Sequence, residues 1–222
     1  MTANITFERP DGGTCPAYHA EPANAASAPA VVVIQEWWGL NDQIERVADR
    51  LCDTGYRVLV PDLYRGEVAL EAAEAEHKME GLDFTDAVTQ DIAGAVAHLK
   101  QSTAKVGVMG FCMGGVLAEL AAIHVAGVGA AVDWYGVAPA DAGDARTIPI
   151  PFQGHFGLRD QMFPPPTVDA LEARLEEGNV THEIYRYDAE HAFGNEQWDH
   201  YNADAARLAW ERSLEFFKRH LR

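Results

Sequence analysis

Basic residues are scarce in this chain of 222 residues. Seventeen Lys and Arg stand against 34 Asp and Glu, a formal net charge of −17. A chain this acidic repels nucleic acid and anionic membrane surfaces, so neither is an expected partner. Its densest basic cluster is the terminal Lys218-Arg219-His220-Leu221-Arg222. Cysteine is scarcer still: Cys15, Cys52 and Cys112, widely spaced and with no Cys-x-x-Cys. An odd, dispersed set argues against a disulfide framework or a thiolate zinc site. It reads as free thiols in a reducing compartment, hence a cytoplasmic location. The nine histidines include no His-Glu-x-x-His, and no glycine-rich loop ends in Gly-Lys-Ser/Thr. No metal and no cofactor are therefore expected. No run of 18 apolar residues is present, so no membrane span is expected. The opening MTANITFERPDGG lacks a basic stretch followed by an apolar one, so no signal peptide is expected.

What is present is apolar residues in alternating patterns. They make up 48% of the chain, enough for a large core, and the length suits one α/β domain over 1–222. NITFERP and TCPAYHA look like an edge hairpin, and Ala23 to Ala30 a small-residue loop. VVVIQE (31–36) is a continuous apolar run, as in a strand buried on both faces. Asn41 or Asp42 can cap a helix carrying Ile44, Val47, Ala48 and Leu51, with Gly55 ending it. Further strands are expected at 56–62, 105–111, 128–136, 148–157 and 181–188. Helices should follow the cysteine turn and cover 164–178, and a helix with Val88, Ile92, Ala95, Val96 and Leu99 on one side precedes that turn. Residues 66–82, rich in Ala and Glu, read as an exposed helix or a lid-like excursion. A C-terminal helix should turn Leu208, Trp210, Leu214, Phe217 and Leu221 inward. Strand–helix alternation with apolar strands implies a mostly parallel sheet with helices on both faces.

Gly110-Phe111-Cys112-Met113-Gly114 sits where the strand 105–111 gives way to a helix. A nucleophile on so sharp a turn needs tiny neighbours two residues away on each side, and the helix that follows points amides at it. Cys112 is thus a candidate nucleophile, where an isolated Gly-x-Cys-x-Gly would only be a buried cysteine. In this architecture the acid and the histidine follow the nucleophile in that order. Asp160, after 148–157, and His191, after the last strand, fall at strand C-terminal ends, where ligands bind in such sheets. Asp133 is the alternative acid. The backbone amides of Trp37 and Met113 are candidates for the oxyanion hole. Glu36 is either a catalytic carboxylate or a structural hydrogen-bond acceptor. Trp37, Trp38, Trp134, Tyr135, Phe163 and Phe193 are candidates for an apolar pocket, with core packing as the alternative.

VVVIQEWWGLND, GYRVLVPDLY, KVGVMGFCMGG, WYGV, GLRDQMFPPP and AEHAFGN together resemble the dienelactone hydrolase family of α/β-hydrolases. The resemblance implies an α/β-hydrolase fold and a Cys-His-Asp triad at Cys112, His191 and Asp160. It also implies that Glu36 partners the resting thiol and helps deprotonate it. The substrate would be a small carboxylic ester or lactone cleaved through an acyl-enzyme. The family's dienelactone cleavers hold a substrate carboxylate with arginines. Here the second of those positions is Asn195, and residues 66–104 contain no arginine, leaving Arg65 or Lys78 to compensate. A promiscuous esterase or phosphotriesterase on the same groups, and a non-catalytic scaffold binding a small molecule, are the alternatives. Composition says nothing about oligomeric state.

Overall fold

The computed structural model describes residues 3–23, 25 and 28–222. Parts of the opening peptide and of the expected Ala23–Ala30 loop lie outside them. Eight strands form one sheet in the order β1-β2-β4-β3-β5-β6-β7-β8. The hairpin β1 (Ile5–Glu8) and β2 (Thr14–Ala20) pairs antiparallel, and β2 pairs antiparallel with β4 (Arg57–Pro61). From β4 onward every neighbour is parallel: β3 (Ala30–Ile34), β5 (Val106–Phe111), β6 (Val128–Trp134), β7 (Phe152–Gly157) and β8 (His182–Tyr187). This is the α/β-hydrolase arrangement the sequence implies.

Helices cover both faces, and strand alternation divides the core between them. Val32, Ile34 and Val108 pack toward α4 (Ala93–Lys100), α5 (Met113–His124) and α6 (Pro165–Glu177). Val31, Val33 and Met109 pack toward α1 (Asp42–Asp53) and α7 (Ala203–Leu221). Asn41 is the cap of α1: its Oδ1 accepts from the amides of Gln43 and Ile44 at 3.2 and 3.1 Å. Gly55, at φ +93°, takes the chain out of that helix.

Some boundaries differ from the expectation. The strand foreseen from 148 begins only at Phe152, because Pro149 and Pro151 have no N–H for a ladder. Within 66–82 a helix, α2, occupies Ala72–Gly81, with Ala75 alone buried. The helix before the elbow starts as a short turn, α3 (Phe84–Asp86), then runs through a π-helical stretch (Ala87–Ile92) into α4. Leu208 stands outward at 36% exposure rather than inward, because Ala205, Ala209 and Trp210 define the buried stripe of α7. Among the described residues no helix is long and apolar enough to cross a membrane.

The register of β3 against β5 matters most for the site. Ile34 pairs with Gly110, so the chain leaving β3 runs beside the turn leaving β5. A Cβ added at Gly110 would lie 1.7 Å from the Gly114 carbonyl oxygen, and one at Gly114 would lie 2.3 Å from that of Ile34. These are backbone collisions that rotamer changes cannot relieve. Gly110→Ala should therefore cost about 3 kcal/mol or more of stability. Loss of the α1 cap in Asn41→Ala should cost about 1 kcal/mol. Urea midpoints of the two variants check this; equal effects would show that the turn relaxes freely.

Candidate active site

Cys112 occupies the N-cap position of α5 with φ +54° and ψ −114°. That conformation is strained for any residue with a Cβ, and such strain persists only where surrounding structure imposes it. Here the Cys112 amide donates to the Trp134 carbonyl (2.9 Å), and the Cys112 carbonyl accepts from the amides of Gly115 and Val116. The side chain projects over the strand ends and is 7% exposed.

The loops after β7 and β8 bring up the partners. Gly157 lies so close to the second loop that a Cβ would be 2.5 Å from the Ala189 carbonyl oxygen. The Arg159 amide donates to that same carbonyl (3.0 Å). Asp160 is thereby set beside His191: Asp160 Oδ2 is 2.8 Å from Nδ1, and Nε2 is 3.2 Å from Cys112 Sγ. Asp160 Oδ1 accepts from the amides of Met162 (2.7 Å) and Phe163 (2.9 Å). Burial pushes the Asp160 carboxyl up, but His191 and these two amides outweigh it and hold it below its ordinary value. With Nδ1–H donating to this carboxylate, a neutral imidazole presents its Nε2 lone pair to the thiol. The rings of Tyr135 and Phe163 lie 5.3 and 5.8 Å from that imidazole.

Glu36, at the end of the segment leaving β3, is buried beside this chain of groups. Tyr135 donates its hydroxyl to Oε1 at 3.2 Å, and Asn195 Nδ2 donates to Oε2 at 2.6 Å. Asn195 Oδ1 accepts the Gln197 amide (2.9 Å), which turns the Asn195 NH₂ toward Glu36. Burial pushes the Glu36 carboxyl up, against the pull of Asn195, His191 and Tyr135. Among the described residues Glu36 makes no hydrogen bond to Cys112, so the thiol partnership implied by the resemblance is not formed in this structure. The carboxylate acts on the thiol through space. Burial first, and Glu36 second, push the thiol well above its ordinary value, against the Met113 amide, which favours the thiolate. The helix terminus alone thus does not produce a resting thiolate.

A cavity of about 490 Å³ opens onto Cys112 and His191. Glu36, Trp37 and Trp38 line it, with Arg159, Met162 and Trp198 opposite. The Trp37 amide donates to no backbone acceptor among the described residues, and Met113 opens α5, where an amide has no intrahelical partner. Of the other candidates, Trp134 and Phe193 are core residues that do not line the cavity, and Tyr135 touches the site through Glu36. Phe163 packs against His191 from the side. Asn195 lines a neighbouring cavity instead. Asp133 is buried beneath α5 and gives Oδ1 to the Gly136 amide, away from His191. Arg65 pairs with Asp91, and Lys78 with Glu67, so both are engaged elsewhere. The sequence reading missed Arg159 and Trp198; their only signal was proximity to Asp160 and His191. Arg159 is paired with Asp188. Among the described residues no group of three or more His, Cys, Asp or Glu is placed to hold a metal ion.

The sequence pattern of the dienelactone hydrolase family matches residues 15–221. A protein of Methylorubrum extorquens, provisionally named a carboxymethylenebutenolidase, is 30% identical over 94% of this chain and 78% of its own. A crystal structure of a provisionally assigned dienelactone hydrolase from Klebsiella pneumoniae superimposes with TM-score 0.85 at 27% identity, over 97% of this chain and 98% of the other. A dienelactone hydrolase-like promiscuous phosphotriesterase from metagenomic libraries superimposes with TM-score 0.86 at 25% identity, over 98% of both chains.

The electrostatics of the thiol yield a test. Its ordinary value is 9.0 and its shift is upward, so alkylation of Cys112 by iodoacetamide should keep rising through pH 9 without a plateau. Glu36→Gln removes the second cause of that shift and should speed labelling at pH 8 by about tenfold. Peptide mapping after timed exposure measures both. An unchanged rate in Glu36→Gln would remove the carboxylate from control of the thiol.

Proposed function

The chain belongs to the dienelactone hydrolase family and is a hydrolase of ester or lactone bonds, and from that premise we propose that it cleaves small, neutral carboxylic esters or lactones by thiol catalysis. The carrying observation is the continuous chain Cys112 Sγ–His191–Asp160, at 3.2 and 2.8 Å, over the strand ends. His191 Nε2 takes the thiol proton as the sulfur adds to the substrate carbonyl. The amides of Trp37 and Met113 hold the oxyanion. The imidazolium, held by Asp160, returns the proton to the leaving oxygen, and a thioester to Cys112 remains. His191 then takes a proton from water, the resulting hydroxide attacks the thioester, and the proton returns to the departing thiolate. All 222 residues serve as one catalytic domain in this reading.

Neutrality of the substrate follows from the walls. Glu36 and Glu190 both line the cavity, and Arg159 already serves Asp188. Asn195, where dienelactone cleavers carry arginine, is spent on Glu36. A second reading, attack by the same thiol on phosphate triesters, is favoured by the likeness to the metagenomic phosphotriesterase.

Cys112→Ala should lower kcat on p-nitrophenyl acetate by about 10³-fold or more. A stopped reaction of the unmodified protein should carry the acyl mass on the peptide containing Cys112. Paraoxon turnover abolished by the same substitution decides the second reading. Retained ester hydrolysis in Cys112→Ala would remove the thiol mechanism altogether.

Each charge-assisted bond to a carboxylate contributes about 1.5–3 kcal/mol. With Glu36 and Glu190 in its walls and Arg159 paired to Asp188, the site should therefore prefer a neutral lactone over its carboxymethylene counterpart by about tenfold or more in kcat/KM. A tenfold preference for the anion would assign Arg159 to substrate recognition instead.

A further inference from the structure

Beside the cavity on Cys112 lies a second of about 520 Å³, bounded by Trp38, Leu40, Val68, Leu70, Asn195 and Trp198, among others. It holds none of the groups of the proposed chemistry. It is nevertheless continuous with them in its walls, because Trp38 and Trp198 line both cavities. Their rings stand 5.5 Å apart, tilted by 51°. Asn195 bounds the second cavity and donates its NH₂ to Glu36, which bounds the first. Trp38 is held by its neighbours: its ring lies 5.3 Å from that of Trp37, and its carbonyl accepts the Ala69 amide at 2.9 Å. That last bond fixes the 66–71 segment as the second cavity's outer wall. On this wall Leu70 is 85% exposed, an isobutyl group left in water at the cavity's edge.

We infer that the second cavity is a subsite for a neutral aryl group carried by the ester at a distance from its scissile carbonyl. The inference rests on the ester-hydrolase reading above and specifies its substrate class. Each cavity alone falls within the roughly 300–1,000 Å³ that encloses a whole drug-sized ligand. A compact lactone fills the first and has no use for the second. Two indole rings at the junction offer faces and edges to a flat ring. Among the described residues Asp42 is the one charged residue lining the second cavity, beside the neutral Asn41 and Gln197, and a ligand carboxylate there would meet repulsion from it. A terminal ring would also cover Leu70.

The test compares p-nitrophenyl acetate with p-nitrophenyl phenylbutyrate, and measures binding of the uncleaved analogue phenylbutyramide by calorimetry. In the unmodified protein kcat/KM should favour the phenylbutyrate ester by about tenfold or more, the scale of burying one aromatic ring. Val68→Phe, which fills the second cavity, should reduce that ratio by about tenfold, mainly through KM, and weaken phenylbutyramide binding equally. Leu70→Asp, at a side chain too exposed to affect folding, should reduce the ratio and the binding in the same direction. Equal kcat/KM for the two esters in the unmodified protein overturns the subsite, as do a ratio and an amide affinity that neither substitution changes. Failure to cleave either ester would instead sink the proposed function. Amide binding that Val68→Phe abolishes would then still establish the cavity as an aryl site, and its absence would overturn the subsite as well.

Discussion

Everything at the site depends on one steric constraint, the close approach of the turn after β5 to the chain leaving β3. With no side chain at Gly110 or Gly114, the backbone at Cys112 can take φ +54° and lift its sulfur above the strand ends. The same approach packs α5 against β3 and brings Glu36 near the sulfur. A carboxylate, a thiol and a helix N-terminus thus meet because of a backbone contact. Other strained positions gather nearby: Tyr135 at φ +47° and Ala192 at φ +58° flank the cysteine and the histidine. Both residues adjoin side chains of the site, whereas Arg65 and Asn179, also at positive φ, lie outside it.

Two buried carboxylates serve this site, and their surroundings push them in opposite directions. Asp160 accepts two backbone amides and the imidazole, and these hold it ionised against its burial. Glu36 accepts one hydroxyl and one amide, both neutral donors, and burial prevails. A proton is therefore less costly on Glu36 than on Asp160. The thiol lies between them, held protonated by burial and by the Glu36 field. Such a thiol is a weak nucleophile at rest.

The legibility of these features in the sequence follows the range of the forces behind them. The elbow was legible because its cause is local: two glycines flank Cys112 within five residues. Asp160 and His191 were legible because parallel strands end on one side of the sheet, so chain order predicts which loops meet. The pocket was not. Trp134 ends a strand and Phe193 follows His191, but only packing against Phe111, His155 and Tyr187 decides that both rings turn into the core. Leu208 satisfied the helical spacing yet faces water, since the stripe of α7 that meets the sheet runs through Ala205, Ala209, Trp210, Phe216 and Phe217. The bond from Asn195 to Glu36 spans 159 residues, and no local pattern encodes it. Arg159 was passed over because a loop arginine beside a candidate acid has no distinguishing neighbour in sequence.

Asn195 shows how one side chain can bear on the charge of a buried carboxylate. An arginine at this position would place a full positive charge on Glu36, hold its carboxylate ionised and offer remaining donors to a substrate anion. Asparagine offers Glu36 a single neutral donor, and its oxygen is already committed to the Gln197 amide. Unlike a guanidinium, it brings no charge to a ligand. Burial prevails over such neutral donors, and the field of the carboxylate reaches the thiol. The field of Glu36 thus adds to burial in holding the resting thiol protonated.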